Sequence, residues 1–169
     1  AYSKPDQVLP YRILASSKNF NELTSVLGSL REQGPALDLG AKSGNAKTLW
    51  VLARIPADTV ERTRVLHIAN RSVQKGDAVI LDEFGQSLLY AHFNNEQEPV
   101  NAARALPGYA ITLPELPLPL PAGHRRFSGE HDLTAFLRLE LSIAGSALSL
   151  NLWDETRFIE AQRQIEAQG

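Results

Sequence analysis

The stretch Thr48–Ile55, TLWVLARI, gives the chain a hydrophobic period of two residues. Side chains alternate across a strand, so this stretch divides into two faces: Leu49, Val51 and Ala53 on one, and Trp50, Leu52 and Arg54 on the other. The alternation predicts a β-strand, which Pro56 and Asp58 would end.

Similar alternation recurs on both sides of this stretch. An edge strand is predicted in VLPYRILA (8–15). Downstream the candidate strands are RVLHIAN (64–70), DAVILDEFG (77–85), QSLLYAHF (86–93), YAITLPEL (109–116), HRRFSGEH (124–131), TAFLRLELSI (134–143) and ALSLNLW (147–153). About eight or nine short strands at intervals of roughly ten residues are typical of an antiparallel sandwich or barrel.

Glycine-containing steps separate several of these strands. Phe84-Gly85-Gln86 and Ala144-Gly145-Ser146 predict two hairpins, and Lys75-Gly76-Asp77 predicts a turn.

Helical spacing appears near both ends of the chain. FNELTSVLGSLREQ (20–33) predicts a helix of about three turns, capped by Asn19 or Asn21 and ended near Gly34-Pro35. DETRFIEAQRQIEAQ (154–168) predicts a second helix with Asp154 as its cap.

The stretch LPELPLPLPAGHRRF (113–127) decides whether the chain has one domain or two. Leucines alternate with prolines or polar residues, and a flexible linker has no need of such regularly spaced leucines. Proline cannot donate to a sheet, so we interpret the stretch as an edge strand or rim within one domain of residues 1–169. An exposed polyproline ligand is the alternative. The predicted sandwich core covers residues of about 45–153, followed by the helix of about 154–168.

Composition excludes several functional classes. Hydrophobic residues make up 43% and charged residues 21% of the chain, as in a globular domain. The net charge of −2 argues against a nucleic-acid partner. Cysteine is absent, which removes disulfides and thiolate metal sites, and so is methionine, which suggests a processed chain or a piece of a longer one.

Catalytic and metal motifs are not evident in the sequence. HExxH, GxSxG, GxGxxG and the P-loop pattern are absent. The histidines His67, His92, His124 and His131 support a zinc site only weakly. Calcium binding by Asp77, Asp82 and Glu83 is a further alternative, although their spacing is not that of an EF-hand. We therefore expect no enzymatic activity and no cofactor.

A set of flat or forked side chains on predicted strands suggests a ligand site. Aromatic rings can stack on sugar C–H groups, and forked donors can bind hydroxyls or carboxylates. The candidate ligand-binding residues are Trp50, Arg54, Asn70, Arg125, Phe127 and Trp153. Core packing of the tryptophans and surface exposure of the arginines are the alternatives.

The order of these segments resembles a known family, the 7TMR-DISM extracellular 2 domains that precede seven-transmembrane receptor modules in bacteria. The resemblance covers roughly residues 20–160 and is carried by Leu49-Trp50 with Arg54, DAVILDEFGQ (77–86) and LRLELSIAGSALSLNLWDETRF (137–158). It implies an all-β, antiparallel jelly-roll-like sandwich similar to carbohydrate-binding modules. It also implies a periplasmic location and a terminal helix that leads toward a membrane segment.

The resemblance further implies a parent protein that is an inner-membrane hybrid histidine kinase controlling a switch between virulence and biofilm growth. The expected function is then a ligand-sensing input domain, with a glycan as the expected ligand. The alternative is a homodimeric or heteromeric interface with another sensor kinase and no small ligand.

Overall fold

The computed structural model describes residues 4–15, 19–25, 47–57, 62–94, 106, 108–113 and 132–168. These residues form a short 3-10 turn (Phe20–Glu22) and one long helix, α1 (Glu155–Gln168). They also form the strands β1 (Gln7–Leu9), β2 (Tyr11–Ala15), β3 (Thr48–Ile55), β4 (Arg64–Ile68), β5 (Val73–Leu81), β6 (Ser87–Asn94), β7 (Tyr109–Thr112), β8 (Leu133–Leu141) and β9 (Leu150–Asp154).

The strands form two antiparallel sheets. The four-stranded sheet has the order β1-β9-β4-β7, and the five-stranded sheet has the order β2-β3-β8-β5-β6. Along the chain, β2–β3 and β5–β6 stay within the five-stranded sheet, and every other step between consecutive strands crosses to the other sheet. This is the strand order of a double-sheet jelly roll with β2 added at one edge. The predicted all-β, jelly-roll-like sandwich is therefore confirmed.

The side chains of β3 alternate between two faces as predicted. Leu49, Val51 and Ala53 belong to the main core between the sheets, with Leu66 and Leu152 on the opposite layer. Trp50 and Leu52 instead pack on the outer face of the five-stranded sheet. This outer face is where Arg54 also lies, because it shares their parity.

The N-terminal stretch contributes more than one edge strand. Pro10 separates β1 from β2, and the two strands form edges of different sheets. A proline between edge strands removes no ladder hydrogen bond. The sandwich thus includes residues 7–15, which lie outside the predicted core of about 45–153.

The predicted turn at Lys75-Gly76-Asp77 is wrong, because these residues lie inside β5. The chain turns instead at Arg71 and Ser72. Glycine is suited to this place in the strand because the ring of Phe93 on β6 lies against it: a Cβ atom at Gly76 would be 2.7 Å from that ring. Glycine can mark a close approach as well as a turn.

One predicted hairpin is confirmed and the other is wrong. β5 and β6 pair through the turn at Asp82–Gly85, and Gly85 has a positive φ of 82°. A turn also occurs at Gly145, but β8 and β9 lie in different sheets and do not pair. The segment between them crosses from one sheet to the other. A hairpin would instead keep both strands in the same sheet.

The N-terminal helix is only partly described. Asn19 precedes the 3-10 turn and its backbone N–H donates to Oε2 of Glu22 at 2.9 Å. Residues 23–25 continue as helix, and residues 26–46 lie outside the described residues.

The C-terminal helix is confirmed, including its cap. Oδ1 of Asp154 accepts hydrogen bonds from the backbone N–H groups of Thr156 and Arg157, at 2.9 and 3.3 Å. Phe158 and Ala161 pack on Trp153 and Val65 at the outer face of the four-stranded sheet. None of the described helices is long and apolar enough to cross a membrane.

The proline-leucine rim and the predicted strand HRRFSGEH fall within residues 114–131, outside the described residues. Leu113, where the stretch begins, is buried and its backbone N–H donates to the carbonyl of Arg64 at 2.9 Å.

Candidate functional site

The four sequence-predicted ligand residues that the structure describes do not form one cluster. Trp50 and Arg54 lie on the outer face of the five-stranded sheet, as their shared parity predicts. Asn70 follows β4 and Trp153 lies in β9, both strands of the other sheet. Arg125 and Phe127 lie outside the described residues.

Trp50 is a buried packing residue in this structure, so the interpretation of its ring as an open stacking platform is corrected. Its exposed fraction is 0%, and it packs with Val79, Leu81 and Phe136. The ring of Phe20 lies nearly parallel to it, with centroids 5.9 Å apart and an interplanar angle of 3°. Phe20 therefore occupies the position that a stacked ligand would take.

Asn70 and Trp153 have structural roles. Asn70 Nδ2 donates to the carbonyl of Ala147 at 2.8 Å, and its Oδ1 accepts from the backbone N–H of Ser72 at 2.6 Å. These bonds join the β4–β5 turn to the corner before β9. Trp153 is covered by Phe158, whose ring meets it edge-on with centroids 5.6 Å apart.

A groove of about 560 Å³ opens at one end of the five-stranded sheet, beside Arg54. Arg12 and Leu52 come from β2 and β3, and the Asp82–Gly85 turn closes the opposite side. Its lining is Pro10, Arg12, Leu52, Ala53, Arg54, Asp82, Glu83, Gly85, Asp132 and Thr134. Pockets of this volume are in the range that binds small molecules.

The most prominent polar feature of the groove is an ion pair between Arg54 and Asp132. Both Nε and a terminal guanidinium nitrogen of Arg54 lie 2.5 Å from Oδ2 of Asp132. Oδ1 of Asp132 accepts from the backbone N–H of Ala57 at 2.8 Å. The side chains remain 71% and 40% exposed, so the pair is ordered yet reachable from solvent.

Asp82 forms the opposite wall of the groove. Its Oδ1 accepts from the backbone N–H groups of Phe84 and Gln86, at 2.9 and 2.8 Å, which fixes the turn between β5 and β6. Glu83 follows on the same rim, so three carboxylates and two guanidinium groups line the groove.

A second polar cluster occupies the other end of the same sheet face. Oδ1 of Asp77 accepts from the hydroxyl of Tyr90 at 2.5 Å and lies 2.9 Å from Nδ1 of His92. The hydrogen bond to Asp77, together with burial and the nearby negative charge, raises the pKa of Tyr90 to about 12. Arg138 and Glu140 continue the cluster, with a nitrogen-oxygen distance of 3.1 Å.

Metal binding gains no support in the part of the chain that the structure describes. No group of three or more His, Asp or Glu side chains there could hold an ion. The calcium alternative through Asp77, Asp82 and Glu83 is wrong, because Asp77 lies in β5 and the other two follow its far end. His124 and His131 lie outside the described residues.

Arg54 was predicted as a ligand residue from the sequence, whereas its partners in the groove were not. Asp132 stands 78 residues away along the chain and comes beside Arg54 only because β3 and β8 pair with Arg54 opposite Thr134. Arg12 reaches the groove because β2 pairs with β3 and sets Arg12 opposite Leu52. The sequence does show polar residues next to the apolar strands. It does not show which strands pair, and therefore which of these polar residues come together.

Comparisons with known proteins leave the chain without a family assignment. No family model matches it, and no curated protein matches it. Among solved structures it is similar to the PA14 sugar-binding domain from an RTX adhesin, at 12% identity and a TM-score of 0.36, covering 86% of this chain and 88% of that one.

It is also similar to the enzymatically active domain of tailspike protein 4 of bacteriophage CBA120. The identity is 11% and the TM-score 0.34, with 89% of this chain and 18% of that chain covered. At these identities and TM-scores neither protein indicates what this chain binds.

Proposed function

We propose that this domain binds a carbohydrate in the groove beside Arg54 and serves as the periplasmic input domain of an inner-membrane hybrid sensor histidine kinase resembling RetS or LadS. The family resemblance of the sequence supports the sensor assignment. The carbohydrate assignment rests on one observation, the groove itself with its exposed Arg54–Asp132 pair.

The groove has the chemistry that a sugar requires. Hydroxyl groups both donate and accept hydrogen bonds, and neighbouring hydroxyls match a guanidinium or a carboxylate that offers two atoms at once. Arg12 and Arg54 supply donors, while Asp132 and Glu83 supply acceptors. Leu52 adds an apolar surface for C–H groups.

The charges of the groove favour a neutral ligand. The carboxylates of Asp82, Glu83 and Asp132 and the guanidinium groups of Arg12 and Arg54 line one small space, where Arg54 and Asp132 are paired directly. A polyanion would meet the three carboxylates, and a polycation would meet both arginines. A hydroxyl-rich, uncharged glycan avoids both penalties.

A chain of hydrogen bonds supports a sensing role, because it connects the groove to the start of α1. Asp132 accepts from Ala57 in the segment after β3, and the neighbouring carbonyl of Pro56 accepts from the side chain of Arg64 at 2.8 Å. Next to Arg64, the carbonyl of Thr63 accepts from the backbone N–H of Glu155 at 3.0 Å. A ligand that moves Asp132 can thus favour one arrangement of the helix, provided that it binds the two arrangements with different affinity.

Calorimetric titration with a panel of neutral oligosaccharides tests the proposal. We expect at least one to bind, and Arg54→Ala to weaken it by about 10-fold or more, since hydrogen bonds to a charged group contribute about 1.5–3 kcal/mol. Lys75→Ala is the matched control, because Lys75 forms an exposed pair with Glu140 at 3.4 Å at the other end of the sheet. Equal weakening by both changes, or none by Arg54→Ala, contradicts the proposal.

The alternative is a homodimeric or heteromeric interface, and one observation favours it. In the described part of the chain β6 ends the five-stranded sheet, and Tyr90 on it is 55% exposed. Edge strands of this kind accept a further strand from a partner. Sedimentation over a concentration series distinguishes the two functions: a monomer at all concentrations that binds a glycan contradicts the interface.

A further inference from the structure

Beyond the groove, the outer face of β3 continues to a closed aromatic surface. Arg54, Leu52 and Trp50 follow one another on this face at alternate positions, about 7 Å apart in an extended strand. Leu52 lines the groove and also packs against the cluster of Trp50 and Phe136. The Trp50 surface is therefore the direct extension of the groove along the sheet.

The ring of Trp50 is well packed, but its indole N–H group lacks a hydrogen-bond acceptor among the described residues. The Nε1 atom is buried. A buried N–H group without an acceptor raises the free energy of the packed state. An arrangement in which Nε1 meets a hydroxyl oxygen would remove this deficit.

Among the described residues, the cover over Trp50 is the 3-10 turn Phe20–Glu22 and the residues just after it. The hydrogen bonds that define the turn, from Glu22 N to Asn19 O and from Asn19 N to Glu22 Oε2, join the turn to itself. Phe20 and Leu23 provide its packing on the sheet, where the Phe20 ring also meets Tyr90 with centroids 5.5 Å apart. A short segment outside the sheets opens more readily than a central strand.

We propose that Trp50 is a second, closed subsite of the groove, which takes the next sugar residue of an oligosaccharide when Phe20 moves away. Phe20 is its intramolecular occupant, because it stacks on the indole ring with nearly parallel planes. In the open state the sugar ring stacks on Trp50, and a sugar hydroxyl accepts the hydrogen bond of Nε1. The inference rests on the proposed function and narrows its ligand to an oligosaccharide.

Removing the occupant should favour longer sugars selectively. The probes are three pairs: glucose and maltotriose, galactose and β-galactotriose, and N-acetylglucosamine and chitotriose. In Phe20→Ala we expect the trimer to bind about 10-fold more tightly, the gain that follows if the open state is about one tenth of the wild-type molecules. Affinity for the monosaccharide should not change, since Arg54 and Asp132 are untouched.

Matched variants make the result specific. Ile143→Ala, at a side chain that is 63% exposed in the corner after β8, should change neither affinity. Leu23→Ala loosens the same turn without removing the ring on Trp50, and should also favour the trimer. Trp50→Phe in the Phe20→Ala background keeps an aromatic surface but removes Nε1, and should cancel part of the gain.

The outcomes separate this inference from the proposed function. A trimer-to-monomer affinity ratio that stays unchanged in both Phe20→Ala and Leu23→Ala overturns the Trp50 subsite, while the groove stands if Arg54→Ala still weakens binding. Failure of wild type and both turn variants to bind any probe overturns the carbohydrate assignment and the subsite with it.

Discussion

Gly76 shows how one residue depends on a partner that local sequence does not reveal. A Cβ atom there would lie 2.7 Å from the ring of Phe93 and 2.8 Å from the carbonyl oxygen of Arg138. We expect Gly76→Ala to lower the free energy of unfolding by about 1–3 kcal/mol, as overpacking in a core does. Urea denaturation measures the change.

A double-mutant cycle with Phe93→Leu identifies the cause. Gly76→Ala should cost less in the Phe93→Leu background, because the shorter side chain withdraws the ring atoms that clash. An equal cost in both backgrounds, or an unchanged unfolding midpoint in the single variant, contradicts this account of Gly76.

Tyr90 provides a prediction about pH. Donation of its hydroxyl to Asp77, with smaller effects of burial and negative charge, raises its pKa from the ordinary 10.0 to about 12. A folded-state pKa above the unfolded value means that the stabilising contribution is complete below about pH 10 and is lost as the pH rises through about 12. NMR of labelled tyrosine should therefore give a midpoint near 12 for Tyr90, identified by Tyr90→Phe.

Asp77→Asn removes the negative charge that Tyr90 faces. The Tyr90 pKa should then fall toward 10, since an amide oxygen favours the neutral hydroxyl less strongly. A wild-type midpoint already near 10, or no change on this substitution, would show that the Asp77 hydrogen bond does not control Tyr90.

Individual site residues were only partly predictable. Parity placed Trp50 and Arg54 on one face, because side-chain direction in a strand is a local property. The exposure of each was not predictable, since Phe20 covers Trp50 and Asp132 pairs with Arg54 through contacts distant in sequence. Trp50 and Arg54 lie on the same face of the strand, but contacts with residues distant in sequence decide which of the two a ligand can reach.

At the scale of elements, the apolar contacts of α1 with the described residues come from one side of the helix. Phe158 is 7% exposed and packs on Trp153 and His67, whereas the adjacent Ile159 is 42% exposed. We expect Phe158→Ala to lower the free energy of unfolding by about 3–5 kcal/mol and Ile159→Ala by less than about 0.5 kcal/mol. Chemical denaturation of both variants checks the pair, and similar costs would contradict this docking of the helix.

Elements were predictable where local signals suffice. The Asp82–Gly85 turn joins β5 to β6 as expected, because the flanking residues and a glycine with positive φ specify a hairpin. The step at Gly145 carries a similar signal and yet leads from one sheet to the other. A turn signal marks a change of direction, but only packing decides which sheet receives the next strand.

At the scale of the molecule, the sandwich followed from the number and spacing of alternating strands. The jelly-roll order was expected only through a family resemblance, since antiparallel strands in sequence permit sandwiches and barrels alike. This topology places the groove and α1 on outer faces of opposite sheets. Hydrogen bonds at residues 56–57 and 63–64 link the two sides, and this link supports the proposed sensor function.

The most direct test of the account is an NMR titration of the backbone amides with the best-binding oligosaccharide. We predict that the largest shifts fall around the groove, at Arg12, Leu52, Arg54, the Asp82–Gly85 turn and Thr134, with smaller shifts at Glu155. Shifts concentrated elsewhere, such as at Asn70 and Trp153, or no shifts with any neutral glycan, would contradict the claim that this groove binds a carbohydrate.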